Sequence, residues 1–130
     1  MIYLASPYYH PRKEIMLARF EAVCAKAAEL TLAGHDIFCP IAHSVPMAKY
    51  GLPDQWCDFW EEVDTKWLER SSALWIYKLL GWEESKGVQK EIFIATQMGL
   101  PIVYLDCDIA LHQLPDGVVT PRKLKNEKSE

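Results

Sequence analysis

The sequence lacks the commonest signatures of nucleotide and hydrolase chemistry. It holds no G-x-x-x-x-G-K-[ST] loop, no G-x-G-x-x-G turn and no G-x-S-x-G elbow. A P-loop phosphate cradle, a dinucleotide fingerprint and a serine nucleophile on a strand-to-helix turn are therefore not on offer. The four cysteines, Cys24, Cys39, Cys57 and Cys107, form no C-x-x-C pair. They read as reduced thiols rather than a zinc or disulfide framework, and no metal or organic cofactor is expected. No apolar run approaches the ~20 residues of a membrane span, so no membrane partner is expected. No leader-like segment precedes the first apolar run, which starts at Met1, and the expected location is the cytoplasm. An excess of positive charge is also missing. The net charge is −4, and residues 122–130 carry four basic and two acidic side chains, which leaves the body at −6. Binding to long nucleic acid is dominated by phosphate neutralisation, so an acidic body argues against a nucleic-acid polymer but not against a single nucleotide.

What is present alternates between short apolar runs and helical periods. Residues 1–5 read as a buried strand, and two prolines and a serine make residues 6–11 a loop. Ile15, Leu17, Phe20, Val23, Cys24, Ala27 and Leu30 recur at helical spacing across residues 12–33, and Gly34 stops that helix. Residues 36–39 read as a second strand and residues 40–55 as a long functional loop. Asp54 is the expected cap of a Trp-rich helix over residues 55–70. Residues 73–77 form a third strand, residues 86–99 a helix ended by Gly99, and residues 101–105 a fourth strand. Val118 and Val119 suggest an added edge strand. The expected domain is residues 1–120, with a charged, disordered tail over residues 121–130. The fold class is α/β, a three-layer α/β/α sandwich with a parallel four- or five-stranded Rossmann-like (flavodoxin-like) sheet. Ligands of such sheets bind outside the carboxyl ends of the strands, where the loops at residues 6–11, 40–55 and 80–87 meet.

Several side chains near those loops carry chemistry. Glu91 sits one turn inside the helix that follows Ser85. Taken alone it is either a solvated glutamate favoured by the helix dipole or a carboxylate aimed at the first strand, where the Tyr3 hydroxyl is an available donor. Asp64, between Val63 and Trp67, is either a surface acid or a second carboxyl facing the same cleft. Two such carboxyls supply a nucleophile and a proton-handling group. Tyr3 is otherwise an ordinary core aromatic. Ser85 and Gly87, at a helix start, suit an oxyanion or phosphate. Ser6, His10 and Arg12 around the first loop, and His43 and Ser44 in the long loop, are candidate substrate contacts, toward a phosphate or a base edge. Trp60 and Trp82, like Trp56, offer faces for a planar ligand, or else belong to the core or a subunit interface.

The order Ile2-Tyr3-Leu4-Ala5-Ser6-Pro7, Gly34-His35, Asp64 followed by Trp67-Leu68, and Ser85-x-Gly87-Val88-x-x-Glu91 resembles the nucleoside 2-deoxyribosyltransferase superfamily. Within it the chain looks most like a small branch of unknown function, similar to the 2'-deoxynucleoside 5'-monophosphate N-glycosidases. The resemblance covers residues 1–105. It implies cleavage or transfer at an N-glycosidic bond, with Glu91 as the nucleophile that attacks the anomeric carbon, Tyr3 as its positioning hydroxyl and Asp64 as the acid that helps the base depart. Ser85 and Gly87 match the loop that binds a 5'-phosphate in the monophosphate-cleaving members. The first loop departs from the family's glycine-rich pattern, and its prolines remove N–H donors. The expected partner is a free nucleoside or nucleotide, and the aromatic surface of the Trp-rich helix predicts a homodimer or higher homo-oligomer. Two alternatives stay open: a ribonucleotide N-glycosidase, and a module that senses a nucleotide without cleaving it.

Overall fold

The computed structural model describes residues 1–107. The edge strand at Val118 and Val119, the boundary at residue 120 and the charged tail lie outside the described residues. Four strands are seen, β1 (Ile2–Ala5), β2 (Ile37–Phe38), β3 (Ala73–Tyr77) and β4 (Ile102–Leu105). They form one parallel sheet in the order β2-β1-β3-β4, with Tyr3 opposite both Phe38 and Leu74. Four helices connect and cover them: α1 (Lys13–Leu32), α2 (Pro40–Ser44), α3 (Asp58–Glu69) and α4 (Lys86–Met98). The architecture is the α/β Rossmann-like sandwich expected from the alternating pattern.

Strand alternation assigns the two faces. Leu4 and Tyr77 point to one side and pack with Ala22 and Val23 of α1 and with Cys39 and Leu79. Tyr3, Ala5, Leu74 and Ile76 point to the other and pack with Leu68 of α3 and with Val88 and Ala95 of α4. The buried stripe of α3 is Trp60, Asp64 and Leu68, and that of α4 is Val88, Glu91 and Ala95. Each stripe follows the helical period and each has a carboxyl at its centre. The fold thus drives Asp64 and Glu91 inward together with the apolar residues around them. Strand order reverses between β1 and β3, which places the ligand-binding crevice beyond Ala5 and Tyr77.

Two expectations are corrected. Residues 40–55 are not a continuous loop, because α2 and a 3-10 turn, Val45–Tyr50, occupy most of them. The prolines that suggest a break instead begin these turns, since the first helical position needs no N–H. Asp54 does not cap α3. That helix starts at Asp58 after an extended Cys57, with no side-chain cap. By contrast, α4 begins as expected, with Ser85 Oγ accepting from the Val88 N–H at 3.2 Å. All four cysteines are free thiols. Among the described residues no helix is long and apolar enough to cross a membrane.

Leu74 has no exposed surface and lies at the centre of the α3–α4 face. Leu74→Ala is expected to lower unfolding free energy by about 2–5 kcal/mol in denaturant titrations. A loss below about 1 kcal/mol would contradict the packing described for this face.

Candidate active site

Tyr3 holds the centre of the site. It lies in β1, between β2 and β3, and is fully buried. Its hydroxyl donates to Glu91 Oε2 at 2.5 Å. Asp64 lies close enough to Glu91 and Tyr3 for its charge to act on both. Asp64 and Glu91 are 5% and 7% exposed, so neither carboxyl is solvated as a surface acid would be. Burial raises both above the usual carboxyl range, Asp64 to about 6 and Glu91 well above its ordinary value. The charge of Asp64 raises Glu91 further, while the Tyr3 hydroxyl works in the opposite direction on both. Two carboxyls so close cannot both ionise easily, and they titrate as a pair that retains one proton. Burial, reinforced by the two acids, also keeps the Tyr3 phenol protonated as a donor.

Above this triad lies a cavity of about 70 Å³ that opens to solvent. Glu91 and Asp64 line it. Ile41 and Val45, Tyr8 and Tyr9, and Trp56 and Trp60 supply apolar and aromatic walls. The Trp60 indole N–H is anchored on the Pro53 carbonyl at 3.0 Å, which fixes that ring. Trp56 lies on the first turn of α4, where a methyl group at Gly87 would come within 3.3 Å of its ring. Tyr8 and Tyr9 are both pushed up by burial and stay neutral. Ser6 and Ser44 also line the cavity, and neither hydroxyl oxygen has a hydrogen-bond partner.

Of the sequence-derived candidates, the structure therefore brings together Tyr3, Asp64, Glu91, Ser6, Ser44, Trp60, Ser85 and Gly87. It takes four elsewhere. His10 accepts from the Arg12 backbone N–H at 3.0 Å, and Arg12 pairs with Glu14 at 2.6 Å. His43 packs at a tilt on Phe38 and edge-on to Trp67, and Trp82 packs on Tyr104. None of these four lines the cavity. Sequence reasoning missed Tyr8, Tyr9, Ile41 and Val45 as walls. It also missed Arg19, whose guanidinium donates to the carbonyls of Tyr9 and Leu80 at 3.1 and 3.3 Å. That clamp ties the first loop to the loop before α4. It lies against Gly81, whose φ of +96° favours glycine and whose missing side chain leaves room for the guanidinium.

Fold and site together define a flavodoxin-like α/β protein with a buried carboxyl pair at the switch point of its sheet. The chain belongs to the family described as "Domain of unknown function (DUF1937)", whose model matches residues 1–106. No curated protein matches the chain.

The carboxyl pair has a signature in stability. A raised carboxyl pKa means that the folded protein binds the proton more tightly than the unfolded chain does. The stabilisation from this proton is complete below the ordinary carboxyl range and is lost as pH rises through about 6 and beyond. Tm is therefore expected to fall between about pH 5 and pH 8 in the wild type. Glu91→Gln removes the repulsion, flattens that slope and raises Tm near neutrality, by a gain on the order of 1–3 kcal/mol. Parallel wild-type and Glu91→Gln curves in a thermal melt series would contradict a shared proton.

Proposed function

We propose that this protein cleaves or transfers the N-glycosidic bond of a nucleoside or nucleotide, with Glu91 as nucleophile. The observation that supports this most is the Tyr3–Glu91–Asp64 unit at the floor of a cavity with aromatic walls. A pair that retains one proton holds what the reaction needs, one carboxylate and one acid. The resemblance of the Ser85-x-Gly87-Val88-x-x-Glu91 element to nucleoside 2-deoxyribosyltransferases points the same way.

In the first step Glu91 attacks the anomeric carbon and a C–O bond forms as the C–N bond breaks. The bonding electrons go to the base nitrogen, and the proton of the pair, handed from Glu91 to Asp64 as Glu91 becomes the nucleophile, passes on to the departing base. Positive charge growing on the sugar ring is met by the Glu91 carboxylate at short range. Tyr3 holds that carboxylate in one orientation. In the second step water, deprotonated by Asp64, or a second base attacks the anomeric carbon and Glu91 leaves. Hydrolase and transferase differ only in that acceptor. The aromatic walls are suited to a flat base.

The same reading takes the protein to act in the cytoplasm on free small molecules, as a homo-oligomer. Phe59 and Phe93 are exposed on α3 and α4, which pack together, and an oligomer would cover them. Sedimentation at micromolar concentration is expected to show a dimer or larger species, and a monomer would count against this part.

Free base released from a panel of deoxynucleosides, ribonucleosides and their 5'-monophosphates tests the chemistry. Glu91→Ala is expected to lower release about a thousandfold or more. Tyr3→Phe is expected to lower it about tenfold to a hundredfold, the worth of a hydrogen bond to a charged group. In the free enzyme, kcat/KM falls as rising pH removes the last proton of the pair, and Asp64→Asn abolishes that alkaline limb. Ligand binding without base release by the wild type would favour a sensing module instead.

A further inference from the structure

Resting on the reading above, we propose that the cavity selects an uncharged N-glycoside over its phosphate ester, and that Ser6 and Ser44 are the hydroxyls that hold it. Both serines are more than nine-tenths buried, both line the cavity, and both hydroxyl oxygens are without a hydrogen-bond partner. Buried polar groups in native proteins are almost always satisfied, so an unpaired, enclosed hydroxyl on a residue of the cavity wall marks a place where a ligand atom, met by a turn of the serine side chain, would complete the pairing. A serine hydroxyl donates once and accepts twice, which suits the neutral hydroxyl and amide groups of a sugar or base.

The rest of the lining disfavours an anion. Asp64 and Glu91 are part of that lining, and a phosphate would meet whatever negative charge the pair carries. At the helix start that suits a phosphate, one N–H is taken by the cap and an aromatic ring crowds the glycine. Ser85 Oγ accepts from the Val88 N–H, and the Trp56 ring lies against Gly87. Among the described residues, no lysine, arginine or histidine lines the cavity. The nearby cations have other contacts: Arg12 with Glu14, Arg19 with the Tyr9 and Leu80 carbonyls, His43 with two aromatic rings. Ser85 and Gly87, to which the resemblance assigns phosphate binding, here serve in helix capping and in seating an aromatic wall.

The test is binding rather than turnover. Full-length Glu91→Gln protein is titrated calorimetrically with four deoxynucleosides, four ribonucleosides and the matching 5'-monophosphates. At least one nucleoside is expected to bind, and its monophosphate to bind about tenfold or more weakly. Ser6→Ala and Ser44→Ala in the same background are expected to weaken nucleoside binding about five- to tenfold each. Their melting temperatures without ligand should be unchanged or higher, since each removes an unpaired buried hydroxyl. Equal or tighter binding of the monophosphate overturns the selectivity. Unchanged affinity in a serine variant, or a lower melting temperature without ligand, overturns the role of that serine. Failure of every nucleoside to bind overturns the whole proposal. The two readings fail separately: base release from monophosphates alone would spare the proposed chemistry and overturn this selectivity. Nucleoside binding without base release would do the reverse.

Discussion

Burying two carboxyl groups beside one another costs free energy, and much of this structure can be understood from how that cost is contained. An isolated buried charge is penalised by several kcal/mol even after relaxation. Sharing one proton reduces the pair to a single charge, and the Tyr3 hydroxyl, 2.5 Å from Glu91, partly replaces the lost water. The three side chains come from three regular elements: a strand flanked on both sides, and two helices packed on the same sheet face. That origin fixes their mutual geometry better than loops would. Asp64 and Glu91 are each centred in the buried stripe of their helix, so apolar neighbours such as Leu68, Val88 and Ala95 hold the acids in place.

The walls around this unit are built from the less regular segments, and they are tied down individually. Trp60 is pinned to the Pro53 carbonyl, Trp56 rests on Gly87, and Arg19 joins the first loop to the segment before α4. Rigid elements thus hold the reacting groups while anchored loops shape the space above them. This division of labour suits a site in which a flat, hydroxyl-bearing ligand must be placed against one carboxylate. The Trp56–Gly87 contact also shows why a motif can be present while its expected ligand contact is not. The glycine here accommodates a ring of the protein itself.

Much of the scaffold was legible in the sequence. The apolar runs at residues 73–77 and 101–105 are bounded by polar or turn-forming residues, and helix periods ending at Gly34 and Gly99 leave little choice of element. Ser85 is a capping residue ahead of a helix and behaves as one. The segment after Cys39 was not legible, because proline marks both a break and a first helical turn, and only tertiary packing decides between them. The same limit applies to Asp54, which has the chemistry of a cap but stands three residues before the cap position, Cys57. In the site, Tyr3 and Glu91 are 88 residues apart, so no local pattern joins them. The clue lay in carboxyls placed on apolar stripes, Trp60-Asp64-Leu68 and Val88-Glu91-Ala95. The positions of His10, Arg12, His43 and Trp82 depend on which way loop side chains turn, and composition carries no information on that. Tyr8, Tyr9, Ile41 and Val45 look like ordinary apolar residues until the fold folds them over the cleft.

The central claim is that Glu91, oriented by Tyr3 and coupled to Asp64, forms a covalent bond to the sugar. The most direct measurement is peptide mass mapping of protein quenched in acid during turnover of a substrate identified by base release. The account predicts one added glycosyl mass on the peptide containing Glu91, present in wild type and absent in Glu91→Gln. Base release by the wild type with no adduct at Glu91, or with the adduct on another residue, would contradict it.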